Sequence, residues 1–222
     1  MTDASESSGI ERDVIAGDTN ALANLFQQHH DRLRKMVELR MDRRVQQRVN
    51  ASDVLQQAFI DLADQLTNYQ EGSGVPLFVW MRRITGQRLA KVHREHLGTR
   101  KRSAALEVSL QHGPSPQATS AALASQLVGN FTGPQDKAIR AERQVRLQDV
   151  LNNMDPEDRE VIALRSFEQL SPAEVAAELG ITTAAARMRY IRALRKLREE
   201  LQQESDTLGE DSIIFGDPAG DE

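Results

Sequence analysis

The residues best suited to chemistry are arginines near the end of the chain, and their chemistry is the binding of anions. On a helix that turns about 100° per residue, one face would present four guanidinium groups together with Met188 and, at the helix start, Thr183. These groups belong to Arg187, Arg189, Arg192 and Arg195. Their spacing suits contacts to phosphates and to guanine edges in a DNA major groove.

Two short elements must position those arginines. Ser171 to Glu174 predicts a capping box that begins a short helix, and Gly180 closes that helix. Thr182 or Thr183 then caps the arginine-bearing helix. A short helix, a tight turn and a longer basic helix form a helix-turn-helix, whose second helix lies in a major groove. The competing interpretation is a solvated basic surface, which is the commonest role of a run of charges.

A second basic helix is predicted in the front part of the chain. It follows a loop that ends at Pro76, and its polar positions hold Arg82, Arg83, Gln87, Arg88 and Lys91. The helix before that loop is capped by Asn50. It exposes the short polar side chains of Asp53, Gln56 and Gln57, which suit a protein contact better than a phosphate contact.

The charge distribution supports an anionic partner for this front part. The whole chain has 28 Lys and Arg against 33 Asp and Glu, but residues 21–102 hold fifteen bases and eight acids. Residues 1–20 hold five acids and one base, and residues 202–222 hold seven acids and no base. A basic body with acidic ends points to nucleic acid, with the ends solvating the chain or competing for the basic surface.

Helical periodicity predicts an all-α fold of two small domains on a flexible linker, the second domain being the helix-turn-helix. We expect a disordered acidic N-terminus over 1–17, domains over 18–102 and 138–201, a linker over 103–137 and an acidic tail over 202–222. Only 4% of residues are aromatic, so the cores must be built from Leu, Val, Ile and Ala. No secretory signal and no apolar run of about 20 residues is visible, which favours a soluble cytoplasmic protein.

Several stretches together resemble the extracytoplasmic-function (ECF) sigma factors of bacterial RNA polymerase. Leu151 to Arg165, Leu170 to Ile181 and Arg189 to Leu197 are similar to the family's second conserved domain, sigma region 4, which reads the −35 promoter element. Ala51 to Phe59 resembles the helix of sigma region 2 that docks on the polymerase β′ clamp. Phe78 to Ile84 resembles the neighbouring helix, which recognises the −10 element.

The resemblance implies partners and residue roles. The partners would be core RNA polymerase, through its β′ clamp and β flap, promoter DNA, and an anti-sigma factor where one exists, with no membrane insertion. The implied polymerase contacts are Asp53, Gln56 and Gln57. The implied −10 contacts are Arg82, Arg83, Gln87, Arg88 and Lys91, next to a loop over 72–77 that would receive a flipped base. The implied −35 contacts are Thr183, Arg187, Met188, Arg189, Arg192 and Arg195.

Two other function classes stay open at the level of sequence. One is a helix-turn-helix repressor or activator that acts without polymerase, and the other is a pure interaction protein such as an anti-sigma mimic. The first would need a ligand or dimer module in the front domain, and the second predicts no promoter binding at all. Met188 also stands where the family often has a hydrogen-bonding serine, and Gln87 where it usually has an asparagine.

Catalysis, cofactors and metals are not expected. The chain has no cysteine, which excludes a thiol nucleophile, a disulfide and a thiolate zinc site. His29, His30, His93 and His96 lack matched carboxylates, and no nucleophile–base motif appears. In the acidic tail, residues 213–215 form an apolar triplet that could anchor it on the basic surface, against the simpler expectation of a disordered tail.

Overall fold

The computed structural model describes residues 3–69, 75–97, 116–131 and 137–208, and that part of the chain is helical without a strand. Within the described residues, the front half contains six α-helices, α1 Asp3–Ile15, α2 Thr19–Gln28, α3 His30–Arg40, α4 Arg43–Gln46, α5 Ala51–Asp64 and α6 Leu77–Leu97. The described part of the back half contains five, α7 Ser120–Phe131, α8 Lys137–Asn153, α9 Pro156–Ile162, α10 Pro172–Leu179 and α11 Thr183–Leu208. A 3₁₀ turn follows α5, and a turn of π-helix, Ala163–Phe167, follows α9.

The front half packs α2, α3, α5 and α6 around a core of aliphatic side chains, as predicted. Asn50 begins α5 with a capping box, because its side chain accepts from the Asp53 amide at 2.8 Å and the Asp53 carboxylate accepts from the Asn50 amide at 3.2 Å. The fully buried side chains include Leu22, Leu33, Met36, Leu55, Leu62, Met81 and Leu89. This core fixes α5 and α6 side by side.

The N-terminus differs from the disordered segment that the sequence predicts. Helix α1 packs on α2, and Val14 is completely buried. Ile10, one helical turn earlier, packs against the same core. Because the segment offers so few apolar residues among its charges, sequence periodicity could not distinguish this helix from an acidic tail.

The predicted linker contains a packed helix, at a place where the sequence allows a short helix over 121–128 but offers too little apolar surface for a domain. Helix α7 lies within residues 103–137, and it packs against α8 and α3. Leu123 and Ala124 are fully buried, and Thr119 accepts from the Ala122 amide at 3.2 Å at the start of the helix. Residues 98–115 and 132–136 are outside the described residues, so a flexible tether remains a prediction only there.

The back half forms the predicted helix-turn-helix. Asp155 caps α9 ahead of Pro156, and Ser171 and Glu174 form the capping box of α10. Gly180 ends α10 in the left-handed region, with φ +66°, and Thr182 accepts from the Ala185 amide at 3.1 Å at the start of α11.

Two details of the back half differ from the prediction. Helical periodicity predicts Val145 in the apolar stripe of α8, but this residue is 61% exposed. Helix α11 runs on to Leu208, beyond the predicted end of the domain at 201. The apolar triplet of the tail, 213–215, is outside the described residues.

The two halves pack against each other. Helix α10 lies on α6, and α7 lies on α3. One continuous apolar core runs through both halves. Among the described helices, none is long and apolar enough to cross a membrane.

Candidate nucleic-acid interface

Helix α11 presents the basic face that the sequence predicts. Its inner side is held by side chains packed on α8, α9 and α10, namely Ala186, Ala193, Leu197 and Leu201, all of them buried. Its outer side exposes Thr183, Arg187, Met188, Arg192 and Arg195. The structure therefore brings five of the six predicted −35 residues together on one exposed surface.

Arg189 is the exception among those six. Its Nη1 lies 2.6 Å from Glu157 Oε2, at the N-terminus of α9, and its side chain is only 28% exposed. Arg189 therefore ties the second helix of the motif to α9 in this structure. Arg195 is also paired, but loosely, since its Nε is 3.7 Å from Glu199 Oε1 one turn along the same helix.

Sequence reasoning missed Ile191 as part of this face. It is 55% exposed and lies one turn after Met188, which is 54% exposed. Two exposed apolar side chains at i and i+3 between arginines could make apolar contacts with thymine methyl groups. A helical wheel contains the signal, because Ile191 falls outside the buried stripe of α11.

The predicted −10 residues on α6 lie in three different environments. Gln87 and Lys91 are exposed. Arg88 makes a bidentate pair with Asp61 of α5, in which Nε lies 2.6 Å from Oδ2 and Nη2 contacts Oδ1. This pair raises the pKa of Arg88, chiefly through the hydrogen bond to Asp61.

Arg82 and Arg83, by contrast, face the back half. Arg82 is completely buried, with Nε 2.7 Å from Glu168 Oε2 and Nη1 2.5 Å from Glu178 Oε1. Arg83 donates from Nε to Glu178 Oε2 at 3.1 Å and from Nη2 to the carbonyl oxygen of Ala177 at 2.7 Å. Arg82 is therefore closed to DNA in this arrangement, which the sequence had not indicated.

Arg40, at the end of α3, completes the buried pairs around Glu168. It donates to Glu168 Oε1 at 2.7 Å, to Glu160 Oε1 at 2.6 Å and to the carbonyl oxygen of Pro116 at 2.7 Å. Burial by itself would raise the pKa of Glu168, but the charges of Arg40 and Arg82 outweigh it, so that this pKa is lowered. The same balance, with Glu160 and Glu168 outweighing burial, raises the pKa of Arg40.

Arg32 adds an outer contact between the halves. Its Nη2 lies 3.1 Å from Glu174 Oε2 and 3.0 Å from the carbonyl oxygen of Gln169, and its guanidinium lies 3.6 Å from the centre of the Phe78 ring. Gln169 has φ +58°, a left-handed conformation that is strained for a residue with a side chain. The Gln169 carbonyl oxygen and the carboxylate of the preceding Glu168 both accept from arginines of the front half.

The predicted polymerase-facing surface of α5 is exposed. Asp53, Gln56 and Gln57 all lie on the outside of the helix, and Asp53 also closes the capping box. Ile60, which the sequence analysis did not single out, continues the same face one turn later and is 48% exposed. An apolar side chain among short polar ones suits a protein–protein contact.

The histidines support the packing of the front half. The His29 ring lies 4.8 Å from that of Phe78, and burial followed by the charge of Arg32 lowers the His29 pKa. His93 Nε2 accepts from the Asp42 amide at 3.2 Å, and burial lowers its pKa as well. Within the described ranges, no group of three or more His, Asp and Glu could hold a metal ion.

Comparison with known proteins shows what this chain is similar to. The profile of "Sigma-70, region 4" matches residues 150–199, which run from the end of α8 to α11. The chain is 27% identical over 192 residues to "ECF RNA polymerase sigma factor SigD" of Mycobacterium tuberculosis (strain ATCC 25618 / H37Rv), covering 86% of this chain and 82% of the relative.

Two further matches are shorter or more distant. The "RNA polymerase sigma-E factor" of Streptomyces coelicolor is 43% identical over 70 residues, 31% of this chain and 39% of the relative. A solved structure, "Structure of CnrH in complex with the cytosolic domain of CnrY", superposes with a TM-score of 0.49 at 21% identity over 88% of this chain and 97% of that one.

Proposed function

The chain is a homologue of the ECF sigma factors of bacterial RNA polymerase with a sigma-70 region 4 domain, and we propose that it directs that polymerase to promoters. In this proposal α5 docks on the β′ clamp through Asp53, Gln56 and Gln57. Helix α6 meets the −10 element, and α11 reads the −35 element as duplex DNA. The back half also contacts the β flap.

The observation that carries the proposal is the order of two surfaces along one chain. An exposed polar face on α5 stands beside the basic helix α6, and the exposed arginines of a helix-turn-helix follow in the back half. A repressor or activator that works alone would need a ligand or dimer module in the front half. The helices α5 and α6 offer instead a docking helix next to a basic one, which suits polymerase and promoter.

The two binding surfaces, α5 with α6 in the front half and α11 in the back half, are expected to act together. Two weak sites joined in one chain reach an avidity that neither has alone, provided that the chain can span them. The chain itself supplies binding and no catalysis, so that bond formation belongs to the polymerase. We accordingly place the protein in the cytoplasm, where the polymerase acts, and include an anti-sigma factor among its candidate partners.

Run-off transcription with core polymerase on a genomic promoter library tests the proposal. Adding the chain should produce new transcripts with defined start sites that core polymerase alone does not make. If the chain protects discrete duplex sites without polymerase and adds no transcript, the free-standing repressor or activator is supported instead.

A matched pair of variants sharpens this experiment. Arg192→Ala removes a guanidinium from the exposed face of α11, whereas Arg143→Ala removes one from the exposed surface of α8. The first should lower transcription from promoters with a −35 element, and the second should leave it unchanged. Equal losses in both variants would contradict a reading role for α11.

A further inference from the structure

Helix α11 has an exposed apolar row in the middle of its basic face. Ala184, Met188 and Ile191 follow one another at spacings of four and three residues, so they lie along one line of the helix. Met188 and Ile191 are 54% and 55% exposed, and Ala184 is exposed as well. A single apolar side chain on a surface needs no explanation, but a contiguous row indicates a place where another molecule binds.

The apolar row lies on the side of α11 that is farthest from the core. At about 100° per residue, Met188 points in the direction opposite to Leu197 and close to opposite Ala186. Both of these side chains are buried against the rest of the back half. Met188 therefore occupies the part of the helix surface that would enter a groove most deeply.

An exposed arginine lies on each side of the row, Arg187 on one side and Arg192 on the other. Arg192 Nε donates to the carbonyl oxygen of Met188 at 3.3 Å, which holds this side chain next to the row. Among the described residues no carboxylate pairs with either arginine, whereas Arg189 is held by Glu157. An apolar row between two unpaired cations fits a DNA major groove, where phosphates form the walls and base edges form the floor.

The floor of the major groove offers one kind of apolar group, which is the methyl group on C5 of thymine. Cytosine lacks this methyl group, and the purines present only donors and acceptors. Side chains of Ala, Met and Ile donate no hydrogen bond, so they respond to the methyl group and not to the donor pattern of a base. 5-Methylcytosine carries the same group on the same atom.

We propose that Ala184, Met188 and Ile191 form a reader of C5-methyl groups on pyrimidines in duplex DNA. The row covers about 10 Å along the helix axis, which corresponds to about three base pairs. In a promoter, this surface selects −35 elements that contain thymine, and a methylated cytosine takes the place of a thymine. The position in a promoter rests on the proposed function, but the methyl contact itself requires only binding to a duplex.

Replacing thymine by deoxyuridine removes this methyl group and leaves the base pair intact, which gives a direct test. The free full-length chain is first used at low salt to select sites from a random duplex library. Each thymine–adenine pair of a selected site is then replaced in turn by a uracil–adenine, a cytosine–guanine or a 5-methylcytosine–guanine pair. Fluorescence anisotropy of the labelled duplexes gives the dissociation constants.

At one or more positions, uracil should weaken binding about fourfold relative to thymine, which corresponds to about 0.8 kcal/mol for one buried methyl group. At the same positions, 5-methylcytosine should bind about fourfold more tightly than cytosine. Met188→Ala combined with Ile191→Ala should bring both ratios close to one. Val145→Ala is the matched control, because Val145 is an apolar residue of α8 that is 61% exposed, and both ratios should stay as in the parent chain.

Selection of no duplex site, or equal binding of thymine and uracil at every position, would overturn the proposal. An unchanged ratio in the double variant would overturn it as well, and weaker binding of that variant to core polymerase would then show that the row contacts a protein. The duplex measurements use no polymerase. A chain that responds to the methyl group but gives no transcript with core polymerase would contradict the proposed function and leave the methyl reader intact.

Discussion

At the scale of single residues, arginines that look equivalent in the sequence have different partners in the structure. Arg82, Arg83 and Arg88 lie within seven positions on α6, yet their partners differ. Arg82 and Arg83 share Glu178, and Arg82 also pairs with Glu168, whereas Arg88 pairs with Asp61. Only the fold reveals this, since Asp61 and Glu178 are distant from them in sequence. The sequence therefore identifies these side chains as basic, but it does not show which carboxylates they pair with.

The pair between Arg88 and Asp61 yields a test that distinguishes packing from DNA binding. Asp61→Asn should lower the free energy of unfolding by about 1 kcal/mol, because the pair is only partly buried. It should leave promoter binding intact or stronger, since Arg88 becomes available. Arg88→Ala should cause a similar loss of stability and also weaken promoter binding. Thermal melts and transcription assays measure the two effects, and equal promoter binding in both variants would exclude a DNA contact at Arg88.

The half-buried histidines predict how stability depends on pH. The pKa of His93 is lowered by burial, so the unfolded chain binds a proton that the folded chain resists. Stability should therefore fall as pH drops below the ordinary His value of 6.5, and it should recover above that value.

A comparison within α6 tests that dependence. His93→Gln should lose less melting temperature between pH 7.5 and 5.5 than the parent chain does. The exposed His96 supplies the control, because His96→Gln should behave like the parent. A parent-like pH profile for His93→Gln would contradict the assignment.

At the scale of elements, the turn of the helix-turn-helix depends on one glycine. Gly180 has φ +66°, and a Cβ there would meet no atom within 4 Å, so that backbone strain is the only obstacle to a side chain. Gly180→Ala should destabilise the back half by about 1 kcal/mol, and Gly180→Asn by less, because asparagine tolerates this region. Chemical denaturation gives the difference, and equal stability of the two variants would contradict the argument.

The outer face of α11 predicts a change in the salt dependence of DNA binding. Arg187→Ala should reduce the slope of log affinity against log salt by about 1 if its guanidinium neutralises a phosphate. Arg143→Ala, on the exposed surface of α8, should leave the slope unchanged. The measurement is titration of duplex promoter DNA at several salt concentrations, and identical slopes for both variants would remove Arg187 from the interface.

Some helix boundaries could be predicted from the sequence and others could not. Asn50, Ser171 and Gly180 are strong local signals, and the helices they begin or end are where the sequence predicted them. Helices α1 and α7 were not predicted as packed elements, because each buries only a few small or aliphatic side chains. Local periodicity contains little information about that kind of packing.

At the scale of the whole molecule, the two helical halves lie against each other in the described chain. The net charge of a half predicts its partner only where its basic residues reach solvent, and Arg40 and Arg82 use part of that charge in buried ion pairs. The described chain thus presents α5 and α11 on its surface while it keeps Arg82 covered.

Binding of the full-length chain to core RNA polymerase tests the central claim most directly. The purified chain should co-migrate with core polymerase in size-exclusion chromatography, and Gln56→Ala combined with Gln57→Ala should weaken the complex while Lys35→Ala, on the exposed surface of α3, does not. A chain that stays separate from core polymerase at concentrations where another sigma factor binds it fully would contradict the account.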